Sequence, residues 1–374
     1  MTTPHRAINP PPRLPTSDWR MSFRSPLLTS IPHHRQARPA IRSLLSTARL
    51  LSSSQLHTPK MSVPNVKLND GTSMPIIGFG TGTAHFGREC SDMVLEALKN
   101  GYRYLDTAQQ YRNAGSVGEA IKRWGGKRED VYILTKFGAD GAKPEDIEPR
   151  KVLQDQLKLL GVDYVDLCES PLIRFPARPE ELVLTSRGDL VHNPFYTGNL
   201  TLAENWKIME QLKSEGLCKS IGVSNYREED LLAIKDTWKV PPAVNQIEFN
   251  PYNFHADNML RLLKLCKDHD IKIECYGPLN SLFRSTNGPV DSVVEEIARQ
   301  KGATPAQVLI RWAADYTGGV VVTTSRDSGR QKEQLEAVSK VTPLSEQQVQ
   351  AIAEAGKGRF YRHFQHGVWN PAKP

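Results

Sequence analysis

The stretch "GYRYLDTAQQY", Gly101–Tyr111, contains a short apolar run that stops at an aspartate and is followed by a tyrosine. This run is one of eight that have the length and the bounding residues of buried strands. The eight runs are "IIGFG" (76–80), "YRYLDTA" (102–108), "VYILTKF" (131–137), "YVDLCE" (164–169), "KSIGVSN" (219–225), "AVNQIEF" (243–249), "IKIECYG" (271–277) and "GVVVTTS" (319–325). Segments with helical periodicity separate them. Eight strands that alternate with helices predict a (β/α)₈ barrel, the TIM-barrel architecture, with an open doubly wound sheet as the alternative.

Turn and cap signals support the closed barrel. Asp70-Gly71 is a strong hairpin-turn pair before the first run, so we predict an N-terminal β-hairpin. Thr304 followed by Pro305 predicts the start of a helix, with the threonine as its N-cap. The glycines of "GFGTGTAHFG" lack the G-x-G-x-x-G spacing that an open dinucleotide-binding sheet uses.

The positive charge of the chain is confined to its first 60 residues. The formal net charge is +7 for the whole sequence, of which residues 1–60 carry +8 and the remainder −1. Because the body is neutral, a nucleic-acid partner is not indicated. The Arg- and Ser-rich, acid-poor extension is typical of a mitochondrial presequence, while Met61 offers an equally good start for a cytoplasmic protein. We therefore predict a targeting or disordered extension over residues 1–60 and one barrel domain over residues 62–374.

The remaining composition excludes several classes of site. The five cysteines are scattered and form no C-x-x-C pair, so no zinc site and no disulfide framework is predicted. No run of about 18 apolar residues is present, so no membrane span is predicted.

Two irregular segments, residues 169–200 and the aromatic, basic tail after Gly358, are predicted to form loops that wall a pocket at the carboxyl ends of the strands.

Three residues at successive strand ends could perform general acid chemistry. Asp106 ends the second run, Tyr111 follows it, and Lys136 ends the third. A tyrosine hydroxyl ordinarily titrates near pH 10, and an adjacent ammonium lowers that pKa, while a carboxylate can hold the ammonium in place. The three residues together predict a phenol that donates a proton to a carbonyl oxygen as it becomes an alcohol.

Other strand ends carry groups that could bind a dinucleotide. Ser224, Asn225 and Gln246 could hydrogen-bond an amide such as nicotinamide, although Ser-Asn also suits a plain turn. Tyr276 could stack on a flat heterocycle or simply pack in the core. The segment "TTSRDSGR" places hydroxyl groups and Arg330 at the start of a helix, which suits a phosphate.

These motifs together resemble those of the aldo-keto reductases. The resemblance is carried by "GYRYLDTAQQYRNAGSVGEAIK", "ILTK", "IGVSNY", "VNQIEFNPY" and "YGPL", and it covers about residues 64–374. It implies that Asp106, Tyr111 and Lys136 are three of four catalytic residues. It also implies that Ser224, Asn225 and Gln246 hold the carboxamide of NADPH, on whose ring Tyr276 stacks. The other cofactor residues that it implies are Leu279 and Ser281 at the pyrophosphate, Ser325 and Arg330 at the 2′-phosphate, and Glu333 and Gln334 near the adenine.

Two departures from the family pattern bear on specificity. Thr324 stands where the family usually has a lysine before the serine, which leaves NADH open beside NADPH. Gly82 stands where the family usually has a tryptophan, which we expect to open the substrate pocket. With the aromatic tail, these features resemble the fungal branch that reduces conjugated polyketones and α-keto amides or lactones.

A third departure removes the fourth catalytic residue. The family's fourth strand normally reads D-L-x-L-x-H, whereas this chain reads "DLCESP" and has Glu169 on the histidine's side of the strand. Glu169 would lie about 7 Å lower along the strand than the family's histidine, unless the strand ends early and brings the glutamate to the histidine's place. Three explanations stay open: the glutamate substitutes, as in the family's steroid 5β-reductases; the chain only binds the cofactor; or the segment was altered at an exon junction.

The sequence therefore predicts an NADPH-dependent oxidoreductase that reduces ketones or aldehydes, with Tyr111 as the general acid. The alternatives are a reductase of conjugated C=C bonds that uses Glu169, and a nucleotide-binding regulatory protein with impaired turnover. The expected partner is a small carbonyl compound, the expected state a monomer, and the expected location the cytoplasm, or the mitochondrion if residues 1–60 are a genuine presequence.

Overall fold

The predicted hairpin and barrel are both present. The computed structural model describes residues 63–138, 148–171, 200–365 and Trp369, together with the backbone of 183–184 and 190–191. An antiparallel hairpin comes first, formed by β1 (Asn65–Lys67) and β2 (Ser73–Pro75) around a turn in which Gly71 has a φ of 84°. The (β/α)₈ prediction is confirmed, and the open sheet is excluded because the eight parallel strands close on themselves.

Ten strands follow the hairpin in the described part of the chain, and the eight of the barrel coincide with the predicted runs. In chain order they are β3 (Ile77–Gly80), β4 (Tyr104–Asp106), β5 (Tyr132–Lys136), β6 (Val165–Pro171), β7 (Val183–Leu184), β8 (Leu190–Val191), β9 (Cys218–Ser224), β10 (Val244–Glu248), β11 (Lys272–Tyr276) and β12 (Val320–Thr323). Strands β7 and β8 form a separate antiparallel pair, and the other eight form the barrel in the order β10-β11-β12-β3-β4-β5-β6-β9. All carboxyl ends of the barrel strands therefore meet at one rim.

Helices cover the outside of the barrel. They are α1 (Ser91–Asn100), α2 (Ala114–Trp124), α3 (Pro149–Leu160), α4 (Leu202–Ser214), α5 (Glu228–Lys235), α6 (Asp257–Asp268), α7 (Asn280–Phe283), α8 (Asp291–Lys301), α9 (Pro305–Thr317), α10 (Ser328–Ser339) and α11 (Glu346–Gly356). The predicted cap of α9 is confirmed, because the Thr304 side chain accepts from the Gln307 N–H and Pro305 occupies the first turn. None of the helices in the described part of the chain has the length and apolar character needed to cross a membrane.

Two apolar clusters hold the barrel together. The larger one joins the outward side chains of the strands to the inward faces of the helices. The smaller one fills the lower barrel interior with Tyr104, Leu134 and Leu167, and Leu68 and Met74 of the hairpin segment complete it. The hairpin therefore closes the amino end of the barrel and leaves the carboxyl end for chemistry.

Several predicted segments lie outside the described residues. The extension over residues 1–60 and most of the irregular segment 169–200 are among them, so both stay predictions. The barrel belongs to the compact unit Thr58–Pro374.

A close approach between α2 and α3 gives a matched test of the packing. A Cβ at Gly118 would lie 2.6 Å from the Leu159 carbonyl oxygen, whereas a Cβ at Gly115, on the same helix, would meet nothing within 4 Å. We expect Gly118→Ala to lower the free energy of unfolding by about 1–3 kcal/mol through overpacking. Gly115→Ala should raise it by up to about 1 kcal/mol, since alanine favours helix. Urea unfolding measures both, and equal effects of the two substitutions would contradict this packing.

Candidate active site

A buried ion pair lies at the carboxyl rim between β4 and β5. Asp106 and Lys136 are the last residues of these two neighbouring strands. The Lys136 ammonium donates to Asp106 Oδ2 over 2.5 Å and to the Thr107 carbonyl oxygen over 3.3 Å. Burial opposes the charge of the ammonium, but the surrounding acidic groups, Asp106 foremost, together outweigh it, so the pKa of Lys136 lies above its ordinary value. The lysine therefore stays charged.

Tyr111 joins this pair, as the strand-end positions predict. It ends the short 3₁₀ turn Gln109–Tyr111 after β4, and Lys136 Nζ lies over its ring, 5.3 Å from the centroid. Lys136 lowers the pKa of the phenol as expected, but burial and the charge of Asp106 raise it more. The expectation of a net lowered pKa is therefore wrong for this site, and the phenol holds its proton firmly.

Glu169 lies beside Lys136, and β6 does not end at this glutamate. The strand runs on to Pro171, in a register that pairs Glu169 with Lys136 on one side and with Gly222 on the other. The glutamate side chain is 0% exposed, and its Oε2 lies 4.0 Å from Lys136 Nζ. Burial raises the pKa of this carboxyl well above its ordinary value. The register therefore sets Glu169 level with Lys136, the last residue of β5.

Glu274 is a second buried carboxyl group, which the sequence reasoning missed. It faces the barrel interior from β11, and its Oε1 accepts from the Tyr104 hydroxyl group and, over 2.7 Å, from Gln246 Nε2. Gln246 Nε2 also donates to Asp106 Oδ2 over 2.7 Å, so the amide links the two carboxyl groups. Burial, with the charge of Asp106, raises the pKa of Glu274 to about 7. The sequence contained a signal for Glu274, because it is a charged residue inside the apolar run "IKIECYG". The same criterion identified Glu169.

These contacts place three carboxyl groups around one ammonium. Asp106, Glu169 and Glu274 are all buried, and in this interior Lys136 is the ammonium that lies near them. A low-dielectric interior disfavours excess negative charge, so at neutral pH at least one of the three groups holds a proton. The raised pKa values of Glu169 and Glu274 identify these two as the groups that carry it.

The residues predicted to bind nicotinamide form one cluster at the rim. The Tyr276 hydroxyl donates to Asn225 Oδ1 over 2.8 Å, and Asn225 Nδ2 donates to Ser224 Oγ over 3.3 Å. The backbone N–H of Asn225 donates to the Gln246 carbonyl oxygen over 2.8 Å. Asn225 has a φ of 62°, a left-handed conformation that is uncommon outside glycine and that recurs at functional sites. The structure thus brings these four residues together.

The predicted phosphate and adenine residues lie beside this cluster, with one exception. Leu279 and Ser281 flank the start of α7, and Thr324, Ser325, Arg330 and Gln334 lie between the end of β12 and the middle of α10. The Glu333 carboxylate instead accepts from Thr304 Oγ1 over 2.6 Å, at the start of α9. Glu333 therefore serves a helix terminus in this structure.

Two further basic groups at this end were not predicted. Arg326 is exposed directly after Ser325, where its position in the sequence could have identified it. His85 is 2% exposed, and its Nε2 has no hydrogen-bond partner among the described residues. Burial and the charges of Arg326 and Arg88 lower the pKa of His85. The neutral imidazole and the two arginines make this end of the site suited to anions.

Gly82 lies close to the ring of Tyr111. A Cβ at this position would lie 2.7 Å from Cζ of Tyr111, so the tyrosine ring occupies the space next to the glycine. The contact concerns the position of a Cβ and not the volume of a tryptophan ring, so the opening of the substrate pocket by Gly82 stays a prediction.

The carboxyl-terminal tail crosses the same rim. The backbone N–H groups of His363 and Phe364 donate to the buried carboxylate of Glu248, over 2.7–3.1 Å. The ring of Phe364 lies edge-on to Tyr276, with 5.6 Å between their centroids. The described part of the tail therefore borders the site, as the prediction of a C-terminal substrate loop requires.

Comparison of the sequence with known proteins identifies one family. The family model described as "Aldo/keto reductase family" matches residues 77–357. The chain belongs to the aldo/keto reductase family. It is 33% identical to glycerol 2-dehydrogenase (NADP(+)) of Saccharomyces cerevisiae, over 82% of this chain and 95% of the relative. It is 31% identical to the NAD(P)H-dependent D-xylose reductase of Aspergillus niger, over 83% of this chain and 99% of the relative.

Solved structures of this aldo/keto reductase family agree with the fold. The aldose reductase of Schistosoma japonicum superimposes with a TM-score of 0.66 at 30% identity, over 80% of this chain and 94% of that one. An aldo-keto reductase of Bombyx mori, solved in complex with NADP, superimposes with a TM-score of 0.65 at 27% identity, over 79% of this chain and 94% of that one. The fungal homologues also agree with the fungal resemblance noted in the sequence.

The raised pKa of Glu274 predicts a pH-dependent stability. A carboxyl whose pKa rises on folding contributes stability at low pH, and this contribution is lost as the pH rises from the ordinary carboxyl range through about 7. Glu274→Gln removes the ionisation and keeps an oxygen that can accept from Tyr104. Relative to the native chain, the variant should therefore gain roughly 1–3 kcal/mol in unfolding free energy between about pH 5 and about pH 8.

Urea unfolding at the two pH values measures this gain. Glu119→Gln, on the exposed face of α2, is the matched control and should show no gain with pH. If Glu274→Gln changed the unfolding free energy by the same amount at both pH values, Glu274 would not titrate between them.

Proposed function

We propose that this protein is an NADPH-dependent reductase that converts ketones or aldehydes to alcohols, with Tyr111 as the proton donor. The observation that carries the proposal is the convergence of Asp106, Lys136 and Tyr111 at the carboxyl rim, where Lys136 Nζ donates to Asp106 and lies over the tyrosine ring. Active sites of (β/α)₈ barrels lie at this rim. The curated relatives named glycerol 2-dehydrogenase (NADP(+)) and NAD(P)H-dependent D-xylose reductase support the same class of reaction.

The side chains beside the site fit a dinucleotide. Several of their buried polar atoms have no hydrogen-bond partner among the described residues, namely Ser281 Oγ, Thr324 Oγ1 and Gln334 Oε1. Buried polar atoms without partners are costly, and a ligand with phosphate and adenine groups would satisfy them. We assign the carboxamide to Ser224, Asn225 and Gln246, the ring face to Tyr276, and the pyrophosphate to Leu279 and Ser281. When bound, NADPH supplies the hydride that the reduction requires.

Asp106, Lys136 and Tyr111, called the triad below, would deliver the proton of the reaction. Tyr111 Oη gives its proton to the carbonyl oxygen of the substrate as that oxygen becomes an alcohol. The phenolate left behind is costly in a buried site, and the charge of Lys136 offsets part of that cost. Asp106 fixes the lysine through the 2.5 Å hydrogen bond and so keeps the charge beside the phenol.

The burial of Glu169 favours carbonyl reduction over reduction of a conjugated C=C bond. A C=C reductase of the kind considered would need this carboxyl open to the substrate, donating a hydrogen bond to it. The Glu169 side chain is instead 0% exposed. The intact ion pair likewise favours turnover over a purely regulatory role.

Arginines support NADPH over NADH despite the threonine at position 324. Arg326 and Arg330 are both exposed at the start of α10, next to Ser325. Guanidinium groups bind phosphate through two parallel hydrogen bonds, so this pair can supply the charge that the family's lysine would have given. We also propose that the protein acts on small carbonyl compounds as a monomer.

Removal of the phenol oxygen tests the chemistry. Tyr111→Phe should lower turnover of α-dicarbonyls and small aldehydes about 10²–10⁴-fold, because it removes only the proton donor. The dissociation constant of NADPH should stay within about twofold of the native value. Oxidation of NADPH followed by absorbance, with cofactor binding followed by protein fluorescence, measures both quantities.

Tyr164→Phe is the matched control for this experiment. Tyr164 lies just before the start of β6, with Arg128 and Lys219 over its ring, and therefore at the opposite end of the strand from the carboxyl rim. Loss of its hydroxyl group should leave turnover unchanged. Native turnover by Tyr111→Phe would refute the mechanism. A saturated ketone as the product from an enone would favour C=C reduction instead.

Removal of Arg330 tests the assignment of the 2′-phosphate. Arg330→Ala should raise the dissociation constant of NADPH about 10–100-fold, the cost of lost charge-assisted hydrogen bonds, and leave that of NADH nearly unchanged. Titration calorimetry with each cofactor measures the difference. Arg299→Ala, in the last turn of α8, is the control and should leave both dissociation constants unchanged. If Arg330→Ala weakened the binding of NADPH and of NADH equally, the assignment of the 2′-phosphate to Arg330 would be excluded.

A further inference from the structure

Gly82 makes an unusually close contact with the phenol ring of Tyr111. It lies in the loop between β3 and α1, and a Cβ built on it would be 2.7 Å from Cζ, 2.9 Å from Cε1 and 3.0 Å from Cε2 of the ring. These are the ring atoms nearest the hydroxyl group. Gly82 is not among the residues with positive φ, so its backbone does not require glycine. The requirement is one of space, since real Cβ atoms do not approach other atoms this closely.

The loop that carries Gly82, residues 81–87, is tied to the segment that carries Tyr111. Asn113 Nδ2 donates to the Thr81 carbonyl oxygen over 3.0 Å and to the His85 carbonyl oxygen over 2.9 Å. The Gly87 N–H donates to the Tyr111 carbonyl oxygen over 2.9 Å. Both ends of the loop are therefore fixed to residues 111–113, so the loop cannot move away from the ring without breaking buried hydrogen bonds.

Lys136 fixes the position that the ring must keep. Its ammonium is held by Asp106 and lies over the Tyr111 ring, 5.3 Å from the centroid. A side chain at position 82 would push on the hydroxyl end of the ring, while the ring's backbone stays bonded to Gly87. The phenol would then leave its place beside the ammonium.

We propose that the loop of residues 81–87 positions the phenol of Tyr111 beside Lys136, and that Gly82 is the positioning residue, because its lack of a side chain lets the ring rest on the loop backbone. This proposal rests on the proposed role of Tyr111 as proton donor.

The first experiment compares two glycine-to-alanine variants of the full chain. Gly82→Ala should lower kcat for an α-dicarbonyl about 10–100-fold, since displacement of a catalytic group by about 1 Å has effects of this size. The dissociation constant of NADPH should stay within about twofold of the native value, because the cofactor is assigned to other side chains. Gly115→Ala, whose added methyl group meets nothing within 4 Å, is the control and should keep native kcat. Native kcat in Gly82→Ala would overturn the proposal.

A double-mutant cycle tests the contact without any turnover. Gly82→Ala should lower the urea midpoint of the native chain but not that of Tyr111→Ala, in which the ring is absent. Equal shifts in the two backgrounds would overturn the proposal even if kcat fell. Failure of the proposed function gives a different pattern, in which Tyr111→Phe keeps native turnover while the shifts of Gly82→Ala still depend on the ring.

Discussion

The ion pair between Lys136 and Asp106 is the interaction on which the rest of this site depends. It lies at the rim of a closed barrel, where two neighbouring strands end, and its atoms are 2.5 Å apart. A buried ammonium is stable only if opposite charge and hydrogen bonds compensate for its lost hydration. Because Asp106 supplies both, a permanent positive charge can remain next to a phenol inside an apolar fold. The barrel matters to the chemistry because it holds these groups at fixed distances.

The same positive charge makes two further acids tolerable in the barrel. Glu169 and Glu274 face the interior on β6 and β11, and each has a raised pKa. Gln246 connects Glu274 to Asp106 through one amide nitrogen, so the acids and the triad form a single electrostatic unit. A unit with more acids than ammonium groups must hold a proton near neutral pH. Its protonation state is therefore coupled to the group proposed to donate the proton of the reaction.

Much of this arrangement could be predicted from the sequence. The eight apolar runs correspond to the eight barrel strands, and Asp106, Tyr111 and Lys136 meet because strand ends of a barrel share one rim. The cluster of Ser224, Asn225, Gln246 and Tyr276 follows from the same rule. Glu274 could have been found by the criterion that found Glu169. The contact of Gly82 with Tyr111 could not, since it joins two loops whose paths no local pattern encodes.

The sequence by itself determined the strands, the helices and the residues that reach the rim, because side-chain periodicity and strand ends are local properties. Only the tertiary structure decided which residue Glu169 lies beside, which way the pKa of Tyr111 moves, and what lies beside Gly82. The neighbour of Glu169 follows from the stagger between adjacent strands, and a pKa follows from the sum of burial and all nearby charges. Both are set by residues far apart in the chain, so they exist only once the barrel has closed.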